Sequence, residues 1–167
     1  MIKPLDQAVY AELNALSNFT FLQGASRPEE LVEQAAELGY QAIAITDECS
    51  LAGVVKAHVA AKYHSIKLLI GSFFKLEEGI RLLLIAPDRI GYGELSGLIT
   101  LARRRSPKGE YQLALCDLNI TGTHCLAIWL PAESITAAHT TDYGQQLKAL
   151  FPDRLWIGYG NHLAGDQ

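Results

Sequence analysis

What the chain lacks narrows its functions before any motif is read. Its three cysteines, Cys49, Cys116 and Cys125, are odd in number and show no C-x-x-C spacing, which argues against a disulfide framework and a zinc knuckle. A reduced, cytoplasmic setting is expected, with each Cys a small semi-buried residue. No apolar run is long enough to span a bilayer, and the first residues, Met1 to Asp6, contain no apolar leader segment. A soluble, untargeted protein with no membrane partner is the expectation. Basic excess is missing too: the net charge is −4 and the pI about 5.7, against the balance of a dedicated nucleic-acid module. Such a charge still suits a DNA-associated domain whose partner domains carry the basic surface. The five histidines, His58, His64, His124, His139 and His162, form no H-x-H or H-x-x-x-H pair. Nor is there a G-x-G-x-x-G, since "LSNFTFLQGAS" holds one late glycine.

What is present is an ordinary globular composition, 49% hydrophobic and 19% charged over 167 residues, enough for a single domain over 1–167 with a sizeable core. Strand-like and helix-like segments alternate. Val9 to Leu13 reads as a first strand. Ser26 can cap a helix with Glu29 at capping-box spacing, Pro28 in its first turn and Gly39 as its stop. The continuous apolar run Ala42 to Thr46 predicts a strand covered on both faces. Ser50 is placed to cap a second helix reaching Tyr63. Lys67 to Phe74 predicts a third strand, and Glu78-Gly79 an antiparallel return into Ile80 to Ala86. Ile90 to Arg105 reads as helix and Ser106 to Gly122 as an irregular connection. His124 to Leu130 and Arg154 to Gly160 read as buried strands around a short helix near Tyr143 to Leu150. This order predicts an α/β fold, a mainly parallel sheet with outer helices, closer to a β/α barrel than to a dinucleotide-binding sheet. Functional residues then belong at the carboxyl ends of strands: Asn14 and Leu16, Asp47 and Glu48, Ser72 and Phe73.

At those ends, "TDECSLAGVV" and "APDRIGYGELSGLITLARRRSPKGEY" resemble the PHP (polymerase and histidinol phosphatase) domain. More narrowly, the chain is similar from about Val9 to Gly160 to the N-terminal part of that domain in bacterial error-prone C-family DNA polymerases, relatives of the replicative alpha subunit. The resemblance implies an incomplete PHP-type β/α barrel, C-terminally truncated relative to the family. It also implies a metal site, because active PHP domains hold two or three divalent ions that activate water against a phosphate ester. By this resemblance the H-x-H pair falls on Asn14 and Leu16, and the acidic position of L-D-G-A on Gln23. The His of T-D-H falls on Glu48 and the Glu of G-x-E on Phe73, so only Asp47 keeps its family identity. Leu16 and Phe73 have no lone pair for a metal, and Asn14 and Gln23 offer only neutral amide oxygens. The expectation is a lost metal site, no cofactor and no catalytic residue in this chain.

The remaining candidates each have a structural and a functional reading. Asp47 caps a loop or helix and Glu48 is solvated near a helix dipole, or the two share one weakly held ion with Asn14 or Cys49. His162, beyond the last strand, is the best-placed histidine for the old site. Phe19 and Phe21 line a barrel mouth, or stack on a nucleotide. Arg103, Arg104 and Arg105, with Lys108, complement a helix C-terminus, or contact DNA or the polymerase palm. The leading functional expectation is a non-catalytic platform or interaction surface within a damage-tolerant polymerase used in DNA repair and replication, with the remainder of that chain as partner and DNA reached through it. Other translesion proteins are further candidate partners, and exposed strand edges of a truncated barrel favour self-association. One rival is a residual Mn- or Zn-dependent phosphoesterase or 3′–5′ exonuclease using Asp47, Glu48 and His162. The other is a peptide-binding module with an apolar mouth around Leu16, Phe19 and Phe73.

Overall fold

The computed structural model describes residues 10–121, 124–131 and 137–159, in two compact units, Met1–Gly71 and Ser72–Gln167. The first contains β1 (Ala11–Ala15), α1 (Pro28–Glu37), β2 (Ala42–Ile45), α2 (Val54–His64) and the first half of β3 (Lys67–Lys75). Parallel pairing sets Ala11 against Ala42 and Ala15 against Ile45, then Ala42 to Ile45 against Lys67 to Ile70. All four β2 residues are buried, as its unbroken apolar run requires of a strand covered on both faces. Val32 and Ala35 of α1, and Ala57 and Ala61 of α2, pack with Ala15, Ile43, Ile45 and Ile66 into one core.

Helix α1 ends as its sequence dictates. Gly39 has φ +75°, and its N–H donates to the Ala36 carbonyl while Tyr40 N–H donates to Ala35, the paired bonds of a Schellman stop. Its start differs from the Ser26 cap expected. The N-cap is Arg27, whose N–H donates to Glu30 Oε2 at 2.8 Å. Ser26 stays in the preceding loop because its carbonyl accepts the Asn18 N–H at 2.8 Å. Helix α2 likewise begins at Val54 rather than at Ser50; the Ser50 hydroxyl accepts from Ala52 N–H at 3.2 Å, closing the turn before the helix. Strand β1 runs past the expected Leu13, pairing with β2 as far as Ala15; Val9, the expected start, lies outside the described residues.

The second unit holds the rest of β3, then β4 (Arg81–Ala86), α3 (Arg89–Arg104), a 3-10 turn (Leu115–Asp117), α4 (Leu118–Thr121), β5 (Leu126–Trp129), α5 (Ala137–Leu150) and β6 (Leu155–Ile157). Strands hydrogen-bond in chain order, β1 to β6. Gly79, at φ +82°, turns β3 into β4, with Leu76 N–H on the Ile80 carbonyl at 2.8 Å. β4 and β5 are antiparallel, Leu82 facing Trp129 and Ile85 facing Leu126, whereas β5 and β6 are parallel. The sheet is therefore mainly parallel within an α/β fold. Leu82, Leu83, Leu95, Leu113, Leu118, Trp129, Leu147 and Phe151 are fully buried.

Three local expectations are corrected here. The connection after α3 is not wholly irregular, because it carries the 3-10 turn and α4. β6 is not a buried strand: Trp156 and Ile157 are 51% and 68% exposed. α5 starts at Ala137, ahead of Tyr143. Among the described residues no helix is long and apolar enough to cross a membrane.

The cysteines also separate. Cys49 and Cys125 are buried, while Cys116 is exposed rather than semi-buried. Burial pushes the Cys125 thiol up to about 12, with the Glu94 carboxylate adding to the rise. The folded state thus holds Cys125 neutral, and the stability this lends is complete below the ordinary thiol range and lost as pH rises through about 12. A thiol reagent at neutral pH is expected to label Cys116 in the native protein and all three cysteines after unfolding, read by mass spectrometry. Fast native labelling of Cys125 would contradict this packing.

Candidate functional site at the strand ends

In the first unit the strand ends are organised by one buried carboxylate. Asp47 is the second residue after β2 and is 1% exposed. Its Oδ1 accepts from Ser17 N–H at 2.8 Å and from Thr20 Oγ1 at 2.7 Å, and its Oδ2 accepts from Ser17 Oγ at 2.7 Å. Thr20 Oγ1 in turn accepts from Glu48 N–H at 3.0 Å, and Ser17 Oγ from Phe19 N–H at 3.2 Å. The chain after β1 is therefore tied to the chain after β2 by charge-assisted hydrogen bonds through two buried hydroxyl residues. Sequence reading missed both Ser17 and Thr20. Their signal was the S-x-x-T spacing of "SNFT" just past a strand, which supplies two hydroxyl donors to one carboxylate.

Around this knot the other candidates pair with neighbours. Glu48 Oε2 accepts from Gln23 Nε2 at 2.9 Å, a second, exposed tie between the same two segments. Asn14 Oδ1 accepts from Thr46 Oγ1 at 3.3 Å, and Asn14 N–H donates to Glu12 Oε1 at 2.8 Å. Glu12 Oε2 accepts from the Tyr10 hydroxyl at 3.0 Å, and this bond is the first cause holding the Tyr10 phenol above its ordinary value. Leu16 is half-buried. Cys49 is buried with φ +46°, so its backbone makes the sharp turn after the carboxylate pair. Phe19 is partly exposed beneath Lys56 Nζ, 5.8 Å from the ring centroid. Phe21 and Leu22 are 82% and 89% exposed, and Leu22 has φ +63°.

The second unit carries the remaining candidates. Phe73 is buried in β3, with Lys75 Nζ 5.8 Å from its ring centroid. Arg103 donates to the carbonyls of Gly109 and Glu110 at 3.3 and 3.2 Å and lies 5.4 Å from the Tyr111 ring centroid. Arg105 grips Asp117 with two bonds, 2.8 and 3.1 Å; that carboxylate also accepts Ala114 N–H at 2.8 Å. Both arginines brace the connection after α3, and Arg104 is exposed beside them. Since Asp117 is 4% exposed, Arg105→Ala is expected to cost about 1–3 kcal/mol by leaving a buried carboxylate short of donors. Urea denaturation measures it, and an unchanged midpoint would contradict the brace.

One pair that the sequence did not suggest lies in this unit. His124 Nε2 is 2.8 Å from Asp88 Oδ2, while Asp88 Oδ1 accepts from Ile90 and Gly91 N–H as the N-cap of α3. The hydrogen bond to His124, then that from Gly91, hold the Asp88 carboxyl below its usual range. What that carboxylate lends to stability is present above the ordinary Asp value and fades as pH falls through the depressed one. His58 is exposed on α2, and His162 lies outside the described residues. Among the described residues no three His, Cys, Asp or Glu side chains converge as a metal site.

A family model described as the PHP domain matches residues 12–150. An error-prone DNA polymerase of Teredinibacter turnerae is 55% identical over 158 residues, covering 95% of this chain and 15% of its own. That of Methylococcus capsulatus is 55% identical over 163 residues, with the same shares. In Pseudomonas aeruginosa an error-prone DNA polymerase is 47% identical over 159 residues. The chain thus spans about 15% of the length of these curated relatives. Among solved structures, an amidohydrolase of Chromobacterium violaceum with bound sulfate aligns at TM-score 0.63 and 15% identity, over 84% of this chain and 74% of its own. A proposed metal-dependent phosphoesterase of Bifidobacterium adolescentis aligns at 0.60 and 15% identity, over 90% and 76%. These two likenesses are of fold.

Proposed function

The chain belongs to the PHP domain family, and on that premise we propose that it is the non-catalytic PHP region of an error-prone, damage-tolerant DNA polymerase, serving as a structural platform for the rest of that chain. The polymerase assignment is supported by the relatives, 55% identical over 95% of this chain. The observation that carries the platform role is Asp47. The one carboxylate that retains the family pattern is buried and accepts three hydrogen bonds from Ser17 and Thr20.

The donor set does not fit a two-metal centre. Such a centre needs several anionic or imidazole donors around two dications. Here Leu16 has none, Asn14 Oδ1 accepts from Thr46, and Glu48 accepts from the Gln23 amide. The Gln23–Glu48 and Asp47–Ser17–Thr20 bonds cross-link the two loops that a metal would otherwise join. No cofactor enters this reading, and template-directed nucleotide addition belongs to the rest of the polymerase, through which DNA is reached.

The test is a 3′-labelled oligonucleotide and a chromogenic phosphate monoester, each incubated with the protein and Mn or Zn. No release above the metal-only blank is expected. Metal-dependent release that vanishes in Asp47→Ala would overturn the proposal in favour of a phosphoesterase.

A further inference from the structure

Helix α2 is apolar on two sides. Val54, Ala57 and Ala61 are buried, the two alanines in the core of the first unit. On another face Val55, Val59 and Tyr63, spaced i, i+4, i+8, are 73%, 64% and 85% exposed. Residues at that spacing form one stripe along a helix, and a contiguous exposed apolar stripe rimmed by polar residues is the mark of an interaction surface. Exposed Lys62 and His58 flank the stripe on one side and exposed Lys56 on the other. The helix has no acidic residue. Lys56 is partly answered from within the unit, at 3.8 Å from Glu29. The neighbouring helix α1 instead exposes Glu30, Glu33 and Glu37.

We propose that the Val55–Val59–Tyr63 face of α2 is a docking surface for an apolar, acid-flanked helix supplied by the rest of the polymerase chain. The proposal rests on the platform reading above and names the face that reading needs. Two observations select this occupant. The curated relatives continue far beyond the region this chain matches, which is 15% of their length, so ample chain exists to cover the stripe. Charge also chooses: an acidic flank is attracted by Lys62 and Lys56 and repelled from the Glu30–Glu33–Glu37 face of α1, which fixes the partner on α2. A second copy is the poorer occupant, since two α2 faces would set lysines against lysines.

The experiment places a thiol at Val59 (Val59→Cys, with Cys116→Ser to remove the native exposed thiol) in this chain and in a polymerase chain that contains it, and times maleimide labelling. Phe21→Cys in the same background serves as a second probe. Labelling at position 59 is expected to be fast in the short chain and slowed at least roughly tenfold in the polymerase, with Lys62→Glu returning much of the rate. Equal rates at position 59 in both proteins overturn the proposal. If position 21 is then protected, the platform reading survives on another face; if neither position is protected, that reading fails as well. Concentration-dependent protection at position 59 in the short chain alone would make a second copy the occupant and overturn the proposal. Protection unaffected by Lys62→Glu would overturn its acidic flank.

Discussion

Asp47→Ala is expected to lower stability by about 3–5 kcal/mol, in buffer containing a chelator as much as in buffer containing metal. The substitution removes a carboxylate that is 1% exposed and strands the Ser17 N–H, the Ser17 hydroxyl and the Thr20 hydroxyl that donate to it. A buried donor without an acceptor costs about 1–3 kcal/mol, and three in one network do not simply add. For a domain near this size the loss corresponds to a fall in Tm on the order of 10 °C. Asp47→Asn should cost less, because it keeps the shape and one acceptor while turning an amide N–H₂ toward a hydroxyl. Chemical denaturation with EDTA present reads the difference. A wild-type midpoint for Asp47→Ala would remove the knot from the account, whereas a loss seen only with metal present would revive the metal ligand.

The second large effect is expected at Gly24, in the same loop. A Cβ there would overlap the carbonyl oxygen and carbon of Ser17 and stand 3.1 Å from Asn18 N. The obstruction is backbone rather than a movable side chain, so either the 17–24 segment or its pairing with Ser26 must give. Gly24→Ala is expected to cost about 3 kcal/mol, the upper end for overpacking a tight site. It should also release Asn18 N–H, which donates to the Ser26 carbonyl at 2.8 Å, giving faster amide exchange at Asn18 and Thr20 than elsewhere in the first unit. Gly97, with nothing within 4 Å of an added Cβ, is the control: Gly97→Ala lies within α3 and should be neutral or slightly stabilising. Equal behaviour of the two variants would mean that the loop is not held as described.

Much of the fold was legible because its signals are local. The unbroken apolar run of β2, the Gly39 stop and the Glu78-Gly79 turn each dictate one structure, and all three are where the sequence put them. The shifted boundaries have tertiary causes. Ser26 has the side chain of a cap, but its carbonyl is taken by Asn18 N–H, so Arg27 becomes the cap. β1 extends to Ala15 because β2 offers it a partner that far. In the candidate site, the proposed lack of a metal centre rests on chemistry legible in the sequence, since Leu and Phe side chains bind no metal. The hydrogen bonds that tie the two loops together could not be read in the same way. Ser17 and Thr20 lie 30 and 27 residues from Asp47, and nothing in "SNFT" says which carboxylate its hydroxyls will meet. The same holds for His124 and Asp88, 36 residues apart, and for the arginine cluster, whose charges read as surface until the fold set Arg105 against Asp117.

On the proposed reading, hydrogen bonds rather than metal join the loops after β1 and β2. Its most direct test is thermal unfolding with EDTA and with about 1 mM Mn, alongside elemental analysis of dialysed protein. A native site of Kd about 10 µM would add roughly 2.7 kcal/mol at that concentration, a shift too large to miss. Superimposable melting curves and metal well below one equivalent are expected. A Tm raised by Mn, with an equivalent retained through dialysis and lost in Asp47→Ala, would contradict that reading.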